Sequence, residues 1–396
     1  MKYDVIIIGA GLVGLSTGYQ LKIRNPKLEV AILEKEEEVA LHQSGNNSGV
    51  IHSGIYYKPG SLKAKNCIEG YQSIIEFAQK YDIKYDVCGK IIVAKNNNEL
   101  PLLDTIYNRG LENGLQNLKY LSREEFREIE PHCEGVKAIK VPQTGIIDYI
   151  AVAKTIKKLF QELGGAIFHN HEVVNISMSG NLAVVKTLNN EFQTVKVITC
   201  AGLYSDKMSR MTNPDNDLQI IPFRGEYYKL KDDKKHLVKH LIYPVPDPNF
   251  PFLGVHFTRM IDGNIEAGPN AVLAFKKEGY KFTDFNFSET LETFTWPGFW
   301  KIVAKYGVTG MGEMYRSLSK SAFTKALQEL IPEIREQDLV PGGAGVRAQA
   351  CSRKGVLIDD FDIVKNGNII HVRNAPSPAA TSCLSIGQNI AMLVSI

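Results

Sequence analysis

Residues 3–34, YDVIIIGAGLVGLSTGYQLKIRNPKLEVAILE, run through an apolar strand, a glycine turn, a helix and a second strand that ends on an acid. This succession predicts a parallel βαβ unit that holds a dinucleotide. Gly9 permits the tight turn, Gly11 lets the backbone approach a pyrophosphate, and Gly14 lets the helix lie close on the strand. The helix N-terminus then faces the phosphates. Glu34 closes the second strand at roughly the 20-residue distance where an acid accepts hydrogen bonds from a ribose.

A chain of 396 residues has room for two domains. Its 44% hydrophobic and 22% charged residues are those of a soluble globular protein. The net charge is only +3, with lysines scattered among acids, so no nucleic-acid partner is expected. The six cysteines are widely spaced, without a CxxC pair or a Cys/His cluster, which predicts reduced thiols and no metal site. No secretory signal precedes the strand at Tyr3, and no apolar run approaches the roughly 20 residues that span a bilayer. A cytoplasmic location is the expectation. Both tryptophans fall in FTWPGFW at 294–300, which reads as a buried aromatic cluster or as a peripheral membrane contact.

Downstream, a polar, glycine-punctuated loop at 42–61 leads into a helix over 62–81. GKIIVA at 89–94 is a strand, 98–113 and 122–129 are short helices, and Ser122 with Glu125 forms a capping box. A helix over 149–163 has Asp148 as N-cap. Strands at 166–169 and 173–177 and a hairpin turning at 188–190 lead to Val195–Thr199. That strand enters another glycine turn, placing Gly202 and Ser205 near the nucleotide. Residues 219–273 alternate as β-structure, 288–330 are helical, and the chain ends in two strands, a Pro-bounded loop and a helix from about Ala379. The βαβ unit alone permits NAD, NADP or FAD, and Glu34 disfavours a 2′-phosphate. The loop from Ser44 to Tyr57, with Asn47, Ser48 and Gly49, could thread alongside a flavin, where an NAD enzyme would continue into further βαβ units.

The fingerprint, SGNNSGVIHSGIYYKPGSLKAK, IIPFRGEYY, LIYPVPDPNFPFLGVHFTRMIDG, EAGPNAVLAFKKEGY, GAGVRAQ and RNAPSPAATS together resemble the L-2-hydroxyglutarate oxidase/dehydrogenase family. The resemblance runs from Tyr3 to about Ala391 and implies an FAD-dependent oxidoreductase of the D-amino-acid-oxidase type. The expected fold is α/β. A Rossmann-like FAD domain takes residues 1–84, 145–216 and 335–396, and an interleaved α+β substrate domain on a mixed or antiparallel sheet takes 85–144 and 217–334. Asn46 stands where the family usually has a His, so no role of that His transfers.

The implied reaction is hydride transfer from the α-carbon of a 2-hydroxy dicarboxylate to flavin, giving 2-oxoglutarate. Electrons then pass to a quinone or other membrane carrier, or to oxygen, which would put the protein at the inner face of a membrane. Two carboxylates call for forked cations, and Arg224, Arg259 and Arg347 lie in the family motifs. His52 is the favoured base and His256 the runner-up, because 256 and 259 point to opposite faces of a regular strand. Tyr57 or Tyr243 could orient substrate. The resemblance places Ala380, Thr381 and Ser382, at a helix start, against the negative edge of the reduced flavin. The alternatives are an amine or amino-acid oxidase, and a tRNA-modifying or non-catalytic flavoprotein.

Overall fold

The computed structural model describes residues 1–213, 216–247 and 252–395. Residues 248–251 of the block at 241–263, and residues 214, 215 and 396 of the anticipated FAD domain, lie outside the described residues.

The chain opens with β1 (Lys2–Ile8), α1 (Leu12–Arg24) and β2 (Val30–Leu33), whose strands pair in parallel. Every residue of β2 is buried, as expected for a strand covered on both faces. The chain then leaves this sheet. β3 (Lys90–Ala94), wholly buried, lies in a second sheet, with the helix Leu100–Glu112 packed over one end. A capping box of Ser122 and Glu125 starts the helix Arg123–Ile129, and Asp148 caps Tyr149–Glu162. β4 (Glu191–Thr199) returns to the first sheet and pairs in parallel with β1, giving an eight-stranded α/β layer.

Among the described residues the second sheet has nine strands. It contains β5 (Leu218–Leu230), β6 (Leu241–Pro244), β7 (His256–Arg259), β8 (Ile265–Gly268) and, after the long helix α2 (Pro297–Leu318), β9 (Leu339–Ser352). β5 and β9 form a long antiparallel ladder, and β6 runs parallel to β3. One face is sealed: Ile91, Val93, Ile242, Phe257 and Ala267 pack on Phe323, Leu327 and Leu330. α3 (Cys383–Leu393) closes the chain against α1. It begins four residues later than expected, because residues 377–382 form turns before the helix starts.

A buried ion pair fastens the two sheets' regions. Asp206, on the helix Ser205–Thr212, bonds the ammonium of Lys277, and its carboxylate also accepts the Ile220 N–H. Both side chains are almost completely buried, and burial pulls the Lys277 ammonium below its ordinary range against the attraction of Asp206. Removing one partner strands the other charge, so Lys277→Met is expected to cost roughly 3–5 kcal/mol in denaturant unfolding. A loss below about 1 kcal/mol, the scale of an exposed pair, would show that the contact does not hold the regions together.

Candidate active site

At the turn after β1 the backbone leaves room only for glycine. Gly9 has φ +102°, and a Cβ there would lie 2.5 Å from the Cys200 carbonyl oxygen. At Gly14 a Cβ would come within 2.0 Å of the Gly9 carbonyl oxygen. The helix therefore sits directly on the turn. Leu12 N–H donates to Ser44 Oγ (2.9 Å), while Gly11 and Val13 N–H find no protein acceptor among the described residues. Donors at the head of α1 are thus left where an anion could bind. The buried Glu34 carboxylate accepts N–H bonds from Ala10 (2.7 Å) and Glu36 (3.0 Å). These fix it beside the turn with lone pairs to spare for ribose hydroxyls.

The following loop is shaped by its own side chains. Asn47 accepts the Gly49 N–H and donates to the Gln43 and Ser44 carbonyls, and Asn46 donates to the Leu41 and His42 carbonyls. The Asn47 side chain is therefore occupied by the loop, which leaves its backbone as the part that could meet a cofactor. Gly49 takes φ +65°, and Ser48 beside it is half-buried. Gly202 (φ +53°) brings the turn after β4 against Gln43 of this loop. Glu36, His42 and Glu278 converge, but the Lys35 ammonium bonds all three, so an ion-pair network already neutralises the cluster.

Across the site, the Thr381 hydroxyl accepts the His52 N–H (3.0 Å) and pairs with the Tyr149 hydroxyl (3.0 Å). Thr381 is consequently a strut between the C-terminal turn and the His52 segment. Ala380 and Thr381 N–H have no protein acceptor among the described residues, and Ser382 Oγ is buried without a partner. Orphaned donors at the head of α3, facing the glycine cradle's loop, suit a bound group with a polar edge.

The second sheet supplies the other wall. Opposed residues in neighbouring strands share a face. Leu241 sits beside Lys90 and opposite Thr258, and His256 is two residues from Thr258. Lys90, Tyr243, Thr258 and His256 therefore line the face away from the sealed core. Arg347 is opposite Phe223, and Tyr227 continues that face. The rings of Tyr243 and His256 lie 4.0 Å apart. His256 Nδ1–H donates to the Gly254 carbonyl (2.8 Å), which leaves Nε2 as the free acceptor. His52 reaches in from the opposite wall, with Nε2 3.3 Å from Ser377 Oγ. Burial drives both imidazoles down to about 3, helped at His52 by Lys90 and at His256 by Arg347 and then Lys90. Both are neutral bases at physiological pH.

Several expected residues stand elsewhere. Arg224 is on the opposite face of β5 from Arg347, and its guanidinium is committed to Glu226 (2.8 Å) and the Lys281 carbonyl. Arg259, at the end of β7, is paired with Asp86. As predicted, strand alternation turns it away from His256. Neither has a free fork for substrate, and both leave the substrate set on that ground. Arg347 has no carboxylate partner among the described residues, and its guanidinium lies 5.1 Å over the Phe252 ring. Tyr57 carries Lys63 over its ring and is desolvated beside Ser377, the partner of His52, while the Tyr243 ring packs on His256. Sequence reading missed Lys90, Tyr56 and Tyr227. The signal for Lys90 was a lone charge opening the otherwise apolar strand KIIVA.

Comparison with known proteins gives the family. A family described as FAD dependent oxidoreductase matches residues 4–393. The chain belongs to the FAD-dependent oxidoreductases, and within them to the L-2-hydroxyglutarate dehydrogenase family. L-2-hydroxyglutarate dehydrogenase of Indibacter alkaliphilus is 58% identical over 98% of both chains. The mitochondrial L-2-hydroxyglutarate dehydrogenase of Homo sapiens is 46% identical over 98% of this chain and 88% of its own. Among solved structures, the FAD-bound L-alpha-glycerophosphate oxidase of Mycoplasma pneumoniae superposes with a TM-score of 0.81 at 24% identity, covering 100% of this chain and 96% of that one. The fold is thus that of this flavoenzyme group, and FAD is the cofactor. The glycine cradle, Glu34 and the orphaned amides at α3 are the residues that would hold it.

His52 and His256 stay neutral in the fold down to about pH 3, whereas an unfolded His protonates near pH 6.5. The unfolded chain then binds more protons, so stability falls as pH drops below about 6.5. His256→Gln is expected to flatten this fall by up to roughly 1.4 kcal/mol per pH unit between pH 6 and 4. Urea unfolding of both proteins across that range checks it, and parallel curves would contradict a neutral His256.

Proposed function

We propose that this protein oxidises L-2-hydroxyglutarate to 2-oxoglutarate. The observation that carries the reading is the concentration, on one desolvated face, of the neutral His256 imidazole with Lys90 and Arg347, neither of which has a carboxylate partner among the described residues, while a second neutral imidazole, His52, faces them from the opposite wall. A dianionic hydroxy acid complements such a face. An amino acid would bring an ammonium among cations, and the acid on this face, Glu266, is pushed toward its neutral form by burial. That weighs against an amine or amino-acid oxidase.

Bound FAD supplies the hydride acceptor. The protein's part is to bind, orient and deprotonate. Arg347 holds one carboxylate through its fork. His256 takes the 2-hydroxyl proton on Nε2, its orientation held by the Gly254 carbonyl. The fixed tautomer makes it the better base of the two, and His52, hung from Thr381, lines the opposite side. Removing water from this face strengthens each of these contacts.

The electron acceptor is proposed to be a membrane quinone, with oxygen as the alternative. The FTWPGFW segment divides in a way that supports a membrane contact: Trp296 and Phe299 are buried, while Trp300 is 53% exposed. Val308, Met311, Tyr315 and Leu318 continue an exposed apolar stripe along α2, with exposed Lys301 and Lys305 nearby. No helix among the described residues is long and apolar enough to cross a membrane.

Anaerobic addition of L-2-hydroxyglutarate is expected to bleach the flavin, while glycine, proline and sarcosine do not; the reverse pattern would refute the function. Arg347→Ala should raise the half-saturating concentration at least about 30-fold with flavin content preserved. Unchanged saturation would remove Arg347 from the site. Co-sedimentation with anionic vesicles should fall several-fold in a Trp300→Ser, Met311→Ser variant, and equal sedimentation would exclude α2 as the contact.

A further inference from the structure

Lys90 is 3% exposed, at the start of a strand whose other residues are all apolar and buried. Its ammonium lies 4.5 Å from the centroid of the Tyr56 ring and 4.8 Å from that of Tyr243. No carboxylate pairs with it among the described residues. Burial pulls it down to about 7, and the one group drawing it back up, the Cys67 thiol, is itself pushed to about 12 and so uncharged.

Two π-faces attract a cation but do not replace its hydration, and a buried ammonium without an anion is unfavourable. Such a group persists in a binding face when a ligand completes it. The alternation of β3, β6 and β7 fixes where that ligand lies: Lys90 is beside Leu241, which is opposite Thr258, one step along the face from His256. His256 feels the positive charge of both Arg347 and Lys90. The base therefore stands near both cations, neither of which has a carboxylate partner among the described residues.

We propose that Lys90 binds one carboxylate of the substrate and Arg347 the other, so that Lys90 is the residue selecting dicarboxylates over monocarboxylates. This rests on the functional reading above, and deepens it by assigning the second anion subsite. The rings of Tyr56 and Tyr243 act as walls that keep water from the ammonium and aim it at the ligand.

The test uses the FAD-loaded enzyme and two non-reducing probes, glutarate and butyrate, read by perturbation of the flavin spectrum. A monocarboxylate can use Arg347 alone, whereas a dicarboxylate needs both cations. Lys90→Met is expected to weaken glutarate at least about 30-fold and butyrate less than about 3-fold, collapsing the preference. Lys90→Gln, which keeps a polar head without charge, should behave alike and serves if the methionine variant loses flavin. A wild-type glutarate-to-butyrate ratio in a flavin-loaded variant, or equal loss of both ligands, would overturn the assignment. The functional reading fails separately: wild-type enzyme that binds glutarate but is not reduced by L-2-hydroxyglutarate refutes the oxidation and leaves the dicarboxylate site standing.

Discussion

The two-residue period of the β-strand is the constraint on which the site depends. In β3, β6, β7 and β8 one set of alternate side chains, including Ile91, Ile242, Phe257 and Ala267, seals against helices. The intervening set, Lys90, Tyr243, Thr258 and His256, is thereby forced onto the other face. A slip of one residue would exchange the two sets, burying an ammonium and an imidazole in hydrocarbon. The hydrophobic core thus fixes the register of the chemistry.

The first sheet contributes anchoring, and the long β5–β9 ladder carries Arg347 toward the same face. Contacts between distant segments hold the walls in place. Thr381 bonds the His52 N–H from 329 residues away in sequence, and Asp206 bonds Lys277. Each places a polar group where only a partner from another segment can satisfy it. The site's geometry is therefore a property of the whole chain.

The dinucleotide unit was legible in sequence because much of what it requires is local: the positive φ of Gly9 and the approach of Gly14 to the Gly9 carbonyl both arise within one turn. The capping box at Ser122 and the N-cap at Asp148 were legible for the same reason. The opposed directions of His256 and Arg259 followed from strand alternation alone. The arginine set was not legible, since a motif does not say which guanidinium already has a partner. Arg224 meets Glu226 only two residues on, yet the face it shares is set by pairing with β9 over 100 residues away. The late start of α3 depended on turns that local helix signals do not distinguish from a first turn. Lys90 was hidden because its neighbours Tyr56 and Tyr243 come from remote segments.

Substrate is proposed to lie against the Lys90, His256 and Arg347 face, between it and the flavin. Difference density for glutarate in crystals of the FAD-loaded protein tests this most directly. The expected density has one carboxylate on the Lys90 ammonium, the other on the Arg347 guanidinium, and the carbon chain passing His256 Nε2. Density on the Arg224 face, or glutarate bound with Lys90 untouched, would contradict it.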